Sequence, residues 1–211
     1  MAQIMRYHQH PQMTMTYNGS SMFTNYATME RNLFDWNCNL PSANRLQVAM
    51  LIKLCGSAAS SGYGVFGNCN TYTLPWNVDD AFGLMGYSSG GSWGTLSSQY
   101  ANVKNDLANG FPVVFTGTFN LVNLNDWHIW VADGYIRYKY NYVYTDPRTE
   151  ISRCVSNTTE WIGMNWGWNG DCNGYFYAAY SFDTSNPVGV SGAPNYGTYD
   201  TYLHALTGIR K

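Results

Sequence analysis

Charge is scarce in this sequence. Asp, Glu, Lys and Arg make up 11% of its 211 residues, against roughly 25% in an ordinary soluble domain. The net charge is −2, and Lys and Arg cluster nowhere, so the electrostatic footprint of nucleic-acid binding is missing. No apolar run approaches the ~18 residues of a membrane-spanning helix. A charged segment followed by an apolar stretch, the mark of a secretory signal, does not open the chain. There is no C-x-x-C pair, so a zinc site is poorly supported, and nothing points to any other cofactor. The five cysteines, Cys38, Cys55, Cys69, Cys154 and Cys172, are odd in number. Pairings such as Cys55–Cys69 or Cys154–Cys172 are permitted by the sequence and not established by it. Cys55, on an apolar helical face, reads most simply as a buried small hydrophobe.

Gly, Asn, Ser, Thr and Tyr stand where charge would be, and 17% of residues are aromatic. This composition suits a loop-rich, sheet-containing protein that is secreted or displayed at the cell surface. The length suits one large domain or two small lobes with a real core.

Order along the chain gives the fold class. "MAQIMRYHQHP" places Met1, Ile4, Met5 and His8 on one helical face and stops at Pro11. No N-cap precedes Ala2, which suggests a chain that was cut or whose start was miscalled. Residues 12–41 are irregular and polar. Ser42 looks like the N-cap of a helix over 43–55, with Gly56 at its C-terminal stop. Residues 57–75 form a loop, and Asn77 is placed to cap a helix over 78–86 with Asp79 and Asp80 in its first turn. A further helix covers about 95–108. After Gly110 the period changes to two. Strands are predicted over 112–119, 127–136, 137–146, 160–168, 174–182 and 203–209, with a mobile surface loop over 183–202. Helices followed by antiparallel strands indicate an α+β protein, with a helical lobe over about 1–110 and a sheet lobe over about 111–211.

Of the four histidines, His8 and His10 sit at a helix end where carbonyls need donors, and His204 lies in a short strand; all three read as structural. His128 starts an alternating strand directly after the polar run "NLNDW", where a general base can face a cleft from a rigid support. A lone strand histidine is more often a satisfied structural residue. Asn165, in "MNWGWNG", changes the balance. A base that activates a nucleophile must be held in one tautomer by a third group, and an Asn oxygen can accept the imidazole N–H without adding charge. A following Trp can cover that bond and exclude water, although Trp166 and Trp168 read equally well as core.

Four ordered motifs, "MAQIMRYHQHP", "DWHIWVADGY", "MNWGWNG…NGYF" and "LTGI", resemble the streptopain family of bacterial papain-like cysteine peptidases. The resemblance runs along the whole chain and is weakest over about 57–110. The aromatic stretch 135–160 resembles the form found in gut and oral Bacteroidetes members. The resemblance implies a single two-lobe papain-like peptidase domain over 1–211, with N-terminal helices and a twisted antiparallel sheet. By position, His128 matches the catalytic base, Asn165 the residue that orients it and Trp166 the ring that covers the pair. Trp168 matches a residue lining the leaving-group side of the cleft, Gly167 gives substrate backbone room to approach, and Trp127 stands where the family has Gly beside the substrate. The partners implied are a peptide or protein substrate and a propeptide or inhibitor.

The family's nucleophile stands in a Gly-Cys pair about one helical turn ahead of the position of Met1, where a helix N-terminus helps stabilise the thiolate. None of the five cysteines matches it. The expected function is therefore a Cys-His-Asn endopeptidase whose residues 1–211 are inactive alone. A peptide-binding pseudoenzyme of the same fold is the alternative, and an aromatic-rich carbohydrate-binding module is a more distant one.

Overall fold

The computed structural model describes residues 1–17, 19–26, 42–64, 71–168 and 170–211. The irregular reading of 27–41 and the loop reading of 65–70, with Cys38 and Cys69, and Asn169 between two predicted strands lie outside the described residues. In chain order the elements are α1 (Ala2–His8), β1 (Thr14–Tyr17), β2 (Ser20–Phe23), α2 (Ser42–Ala58), β3 (Gly62–Tyr63), β4 (Thr71–Tyr72), α3 (Asn77–Leu84), β5 (Ser89–Thr95) and α4 (Leu96–Ala108). These are followed by β6 (Val113–Thr118), β7 (Trp127–Thr145), β8 (Ser152–Asn165), β9 (Gly174–Tyr177), β10 (Phe182–Asp183), β11 (Thr198–Tyr199) and β12 (Thr201–Arg210). The fold is α+β, built on a six-stranded antiparallel sheet in the order β5-β12-β6-β7-β8-β9.

The helices form where apolar spacing demands burial, with some differences at their ends. In α1, Ile4, Met5 and His8 are buried, and Gln9 closes the helix in the left-handed region with its N–H on the Met5 and Arg6 carbonyls. α2 runs through the expected stop at Gly56 to Ala58. That glycine serves close packing: a Cβ there would lie 1.8 Å from the Tyr63 hydroxyl. Asn77 begins α3 without capping it and donates from Nδ2 to the Ala59 carbonyl at 3.1 Å. Thr95 caps α4 by accepting from the Ser98 N–H at 3.3 Å.

Several strand regions escaped the periodicity argument. β5, "SGGSWGT", carries too much Gly and Ser to alternate, yet it pairs along β12 from Ser89↔Arg210 to Thr95↔His204. It brings a strand from the part expected to be helical into the sheet. β1 and β2 pair within the segment expected to be irregular, β3 and β4 pair within the loop expected over 57–75, and β11, in the loop expected over 183–202, pairs with β10, which starts at the last residue of the strand expected over 174–182. These ladders are too short to show a period.

Two layers cover the two faces of the sheet. On the first, Val114, Val131, Leu206 and Ile209 pack with Ile4 and Met5 of α1, Val48 and Leu51 of α2, and Phe82 of α3. On the second, Phe115, Trp130, Ala132 and Ala205 pack with Leu96, Val103 and Leu107 of α4 and with Ile162, Met164, Trp166, Phe176, Phe182 and Tyr199. Each fully buried large side chain contributes about 1.5–3 kcal/mol by leaving water.

Residues 127–136 and 137–146, expected as two strands, form the single strand β7. It pairs with β8 from Val131↔Asn165 out to Thr145↔Ser152, with a register shift between Ala132 and Gly134. The Tyr175 ring lies over Gly134, where a Cβ would sit 2.8 Å from its hydroxyl. Beyond this point the two strands leave the sheet as a ribbon with residues 136–145 exposed. Tyr138, Tyr140 and Tyr142 stack along one face at 5.8 and 6.1 Å. At the ribbon's base the Glu160 carboxylate accepts from the Tyr135 hydroxyl and pairs with Lys104 at 3.2 Å and Arg137 at 3.6 Å. Burial alone would raise this carboxyl's pKa; the hydroxyl and the two cations outweigh it and lower it.

The three described cysteines are free, so neither pairing allowed by the sequence forms with them. Cys55 is buried, its thiol 3.3 Å from the Met5 sulfur, and burial pushes its pKa up to about 11. Cys154 is exposed on the ribbon. Cys172 donates to the Pro194 carbonyl at 3.2 Å.

His8 is 8% exposed and neither ring nitrogen has a partner. It lies against Tyr7, Tyr87 and Phe111. Burial, and then Lys211, His10 and Arg210, hold its pKa below the usual 6.5. In acid the unfolded chain therefore binds a proton that the folded chain resists, and stability falls as pH drops from 6.5 toward the folded value. His8→Leu should lessen that fall by up to about 1.4 kcal/mol per pH unit. Urea unfolding at pH 5 and pH 7.5 measures it; an unchanged difference between the two pH values would refute the assignment.

Candidate active site

Strand parity decides which predicted residues meet. Asn165 lies opposite Val131 and Met164 opposite Ala132. Residues opposite each other in a ladder share a face, and neighbours along a strand alternate. His128 is three residues from Val131 in an unbroken register with β6. It therefore lies on the second face with Trp130, while Asn165 lies on the first face with α1.

The expected hydrogen bond from His128 to the Asn165 amide is accordingly replaced by two separate contacts. The Asn165 oxygen Oδ1 accepts from Gln3 Nε2 on α1 at 3.1 Å and from the Gly167 N–H at 3.1 Å. His128 Nε2 lies 2.7 Å from the Trp166 carbonyl oxygen. A carbonyl only accepts, so Nε2 carries the hydrogen and Nδ1 keeps the lone pair. The partner expected was an uncharged side-chain oxygen in this segment; the atom in contact with the imidazole is an uncharged backbone oxygen one residue on.

Aromatic rings enclose the imidazole. Trp168 stacks on it at 4.6 Å, with Trp130 at 6.1 Å and Trp166 and Tyr199 at 6.2 Å. Trp168, expected beside the cleft, is the ring closest to His128. Trp166, expected as the cover, is buried and stacked between Trp130 at 4.6 Å and Trp168 at 5.3 Å. Tyr199 packs on Trp166 at 5.2 Å, and burial pushes its hydroxyl up to about 12. Its part in the site carried no sequence signal, because the short strand β11 was read as loop. Gly117 lies opposite His128, where a Cβ would meet Leu203 at 2.7 Å. Gly167 has φ of +79° and open space where a side chain would be.

Trp127 stands apart from these rings. Parity puts it on the first face, where its ring lies 4.9 Å from Tyr202, and its indole N–H is buried without a partner. Its backbone still adjoins His128.

Burial lowers the His128 pKa, and the hydrogen bond to Trp166 opposes that shift. The ring is therefore neutral at pH 7 and able to take a proton at Nδ1. Of the three described cysteines, Cys172 lies in the same buried layer as Trp130, Trp166 and Tyr199, but its thiol donates to the Pro194 carbonyl at 3.2 Å. Among the described residues no group of His, Cys, Asp and Glu could hold a metal ion, and no helix is long and apolar enough to cross a membrane.

The sequence profile described as the Peptidase C10 family matches residues 1–176. The chain belongs to the peptidase C10 family. Solved structures agree on the fold. Active wild-type interpain A, a cysteine protease of Prevotella intermedia, superposes with a TM-score of 0.60 at 16% identity, over 100% of this chain and 80% of that one. A prointerpain A fragment from the same organism gives 0.55 at 19% identity, over 100% of this chain and 61% of that one. No curated protein matches the chain. Membership in the C10 family accords with the motifs around His128 and "MNWGWNG".

Because burial is the larger influence on His128, Trp168→Ala should admit water and raise the imidazole pKa toward 6.5. An NMR titration of the ring carbons reports it. A pKa that stays put or falls would mean that Trp168 does not desolvate the ring.

Proposed function

We propose that this chain acts as a cysteine-type endopeptidase in which His128 is the general base and acid. The observation that supports it most directly is the 2.7 Å contact from His128 Nε2 to the Trp166 carbonyl. It leaves Nδ1 as the basic nitrogen of an imidazole enclosed by tryptophans. Nδ1 takes the thiol proton, and the thiolate sulfur attacks the peptide carbonyl carbon. The imidazolium then returns the proton to the leaving amine, giving an acyl-enzyme that water hydrolyses with His128 as base. Asn165 braces the turn that carries the orienting carbonyl. Trp168 and Gly167 border the substrate, and the Trp127 backbone runs beside it.

The thiol is the component that the described residues do not bring to His128. Cys55, Cys154 and Cys172 are respectively buried in α2, exposed on the ribbon and hydrogen-bonded in a turn. In the reading proposed here a Gly-Cys pair ahead of Met1 supplies it, and residues 1–211 alone are inactive. The same observation favours the second reading, a peptide-binding pseudoenzyme. A propeptide partner is inferred from the prointerpain relative, and a secreted or cell-surface location from the low charge.

A fluorogenic-peptide assay with a thiol-directed epoxide separates the two readings. Residues 1–211 should show no turnover, and the chain preceded by a Gly-Cys segment one helical turn ahead of Met1 should hydrolyse peptides. In that protein His128→Ala should remove nearly all activity, and Asn165→Ala should remove less. Epoxide-sensitive cleavage by residues 1–211 would make one of the five cysteines the nucleophile. A folded but inactive extended protein would leave the pseudoenzyme.

A further inference from the structure

Three amide side chains converge on the backbone segment whose carbonyl holds His128. The Trp166 N–H donates to Asn173 Oδ1 at 2.9 Å. The Gly167 N–H donates to Asn165 Oδ1 at 3.1 Å, and Gln3 Nε2 donates to that same oxygen at 3.1 Å. On the other side of the peptide, the Trp166 carbonyl accepts from His128 at 2.7 Å. Backbone chemistry fixes which end of each amide is used. An N–H can only donate, so Asn173 and Asn165 must present oxygen. Asn165 Oδ1 can only accept, so Gln3 must present its NH2. The segment 165–167 is thus held from the turn before β9, from its own Asn165 side chain and from α1 on the first face of the sheet.

We propose that Asn173 and Gln3 are positioning residues for His128: Asn173 as an acceptor and Gln3 as a donor fix the peptide planes around Trp166 so that its carbonyl meets the Nε2–H. This rests on the reading of His128 as the base. It adds two residues that touch neither substrate nor imidazole, and Gln3 carries the hold across the sheet to α1. The 166–168 turn leaves β8 at its end, where no strand partner fixes the direction of the Trp166 carbonyl, and Gly167 at φ +79° adds no side chain to restrain it. Side-chain amides supply the restraint that a ladder would otherwise provide.

The two roles have opposite polarity, and carboxylate substitutions distinguish them. Asn173→Asp keeps an acceptor for the Trp166 N–H; Asn173→Ala removes it. Gln3→Glu, ionised, replaces the donor with a second acceptor facing Asn165 Oδ1, so it should be at least as damaging as Gln3→Ala. The readout is the His128 Nε2–H proton of 15N-labelled residues 1–211. Hydrogen-bonded and shielded from water, it should appear as a downfield NMR signal coupled to the ring nitrogen, recorded above the imidazole titration. The signal should persist in the unsubstituted chain and in Asn173→Asp. It should vanish into exchange with water in Asn173→Ala, Gln3→Ala and Gln3→Glu. Circular dichroism checks folding. Ala is the best helix former, so Gln3→Ala in α1 carries the test if the Asn173 variants fail to fold. A signal that survives Gln3→Ala, an Asn173→Asp variant that loses it as Asn173→Ala does, or its absence from the unsubstituted chain would overturn the proposal. No catalytic assay enters this test, so a signal that survives Gln3→Ala refutes the positioning role alone. An inactive extended enzyme with the signal intact refutes only the peptidase reading.

Discussion

The carbonyl oxygen of Trp166 is the point on which the site depends. It lies at the end of β8, 2.7 Å from His128 Nε2. As an acceptor it can bind only the protonated ring nitrogen, so one uncharged atom fixes both the orientation of the imidazole and its tautomer. A carboxylate there would add charge and raise the ring's basicity strongly. A carbonyl does so weakly and leaves burial as the dominant influence, which keeps the ring neutral. The rings of Trp130, Trp166, Trp168 and Tyr199 exclude water, and a hydrogen bond in such low-dielectric surroundings is stronger than one in solvent.

That arrangement follows from the alternation of the sheet. His128 and Asn165 are on paired stretches of chain, yet period-two parity sends them to opposite faces. The imidazole joins the aromatic layer with α4, and the amide joins the layer of α1. The sheet thereby separates the layer of α1, α2 and α3 from a layer that encloses the His128 imidazole, and the segment 165–167, at the edge where β8 ends, touches both. Gln3 couples them through a single side-chain contact. The same two strands, continued past the shift at Ala132 and Gly134, leave the body as the tyrosine ribbon. The conformation of β7 and β8 near the site is anchored from outside by Glu160 and its Tyr135, Lys104 and Arg137 partners.

The sequence by itself determined the class of the fold and the family. Helical spacing in "MAQIMRYH" and in the residues after Ser42, alternation after Gly110, and the ordered motifs around His128 and Trp166 are local properties, and the backbone follows them. The short strands β1, β2, β3, β4, β10 and β11 were not legible because nothing local distinguishes them from loop, and the Gly/Ser-rich β5 because its partner β12 lies at the other end of the chain. Gly56 looked like a helix stop and proved to be a packing contact, since what the missing Cβ makes room for is the ring of Tyr63. At the site, sequence named His128, Asn165, Trp166 and Trp168 but not their pairing. A motif gives neighbours along the chain, whereas the face to which each side chain points is set by cross-strand register. Only the tertiary structure decided that register, and with it that a backbone carbonyl orients His128 while the Asn165 side chain turns to α1.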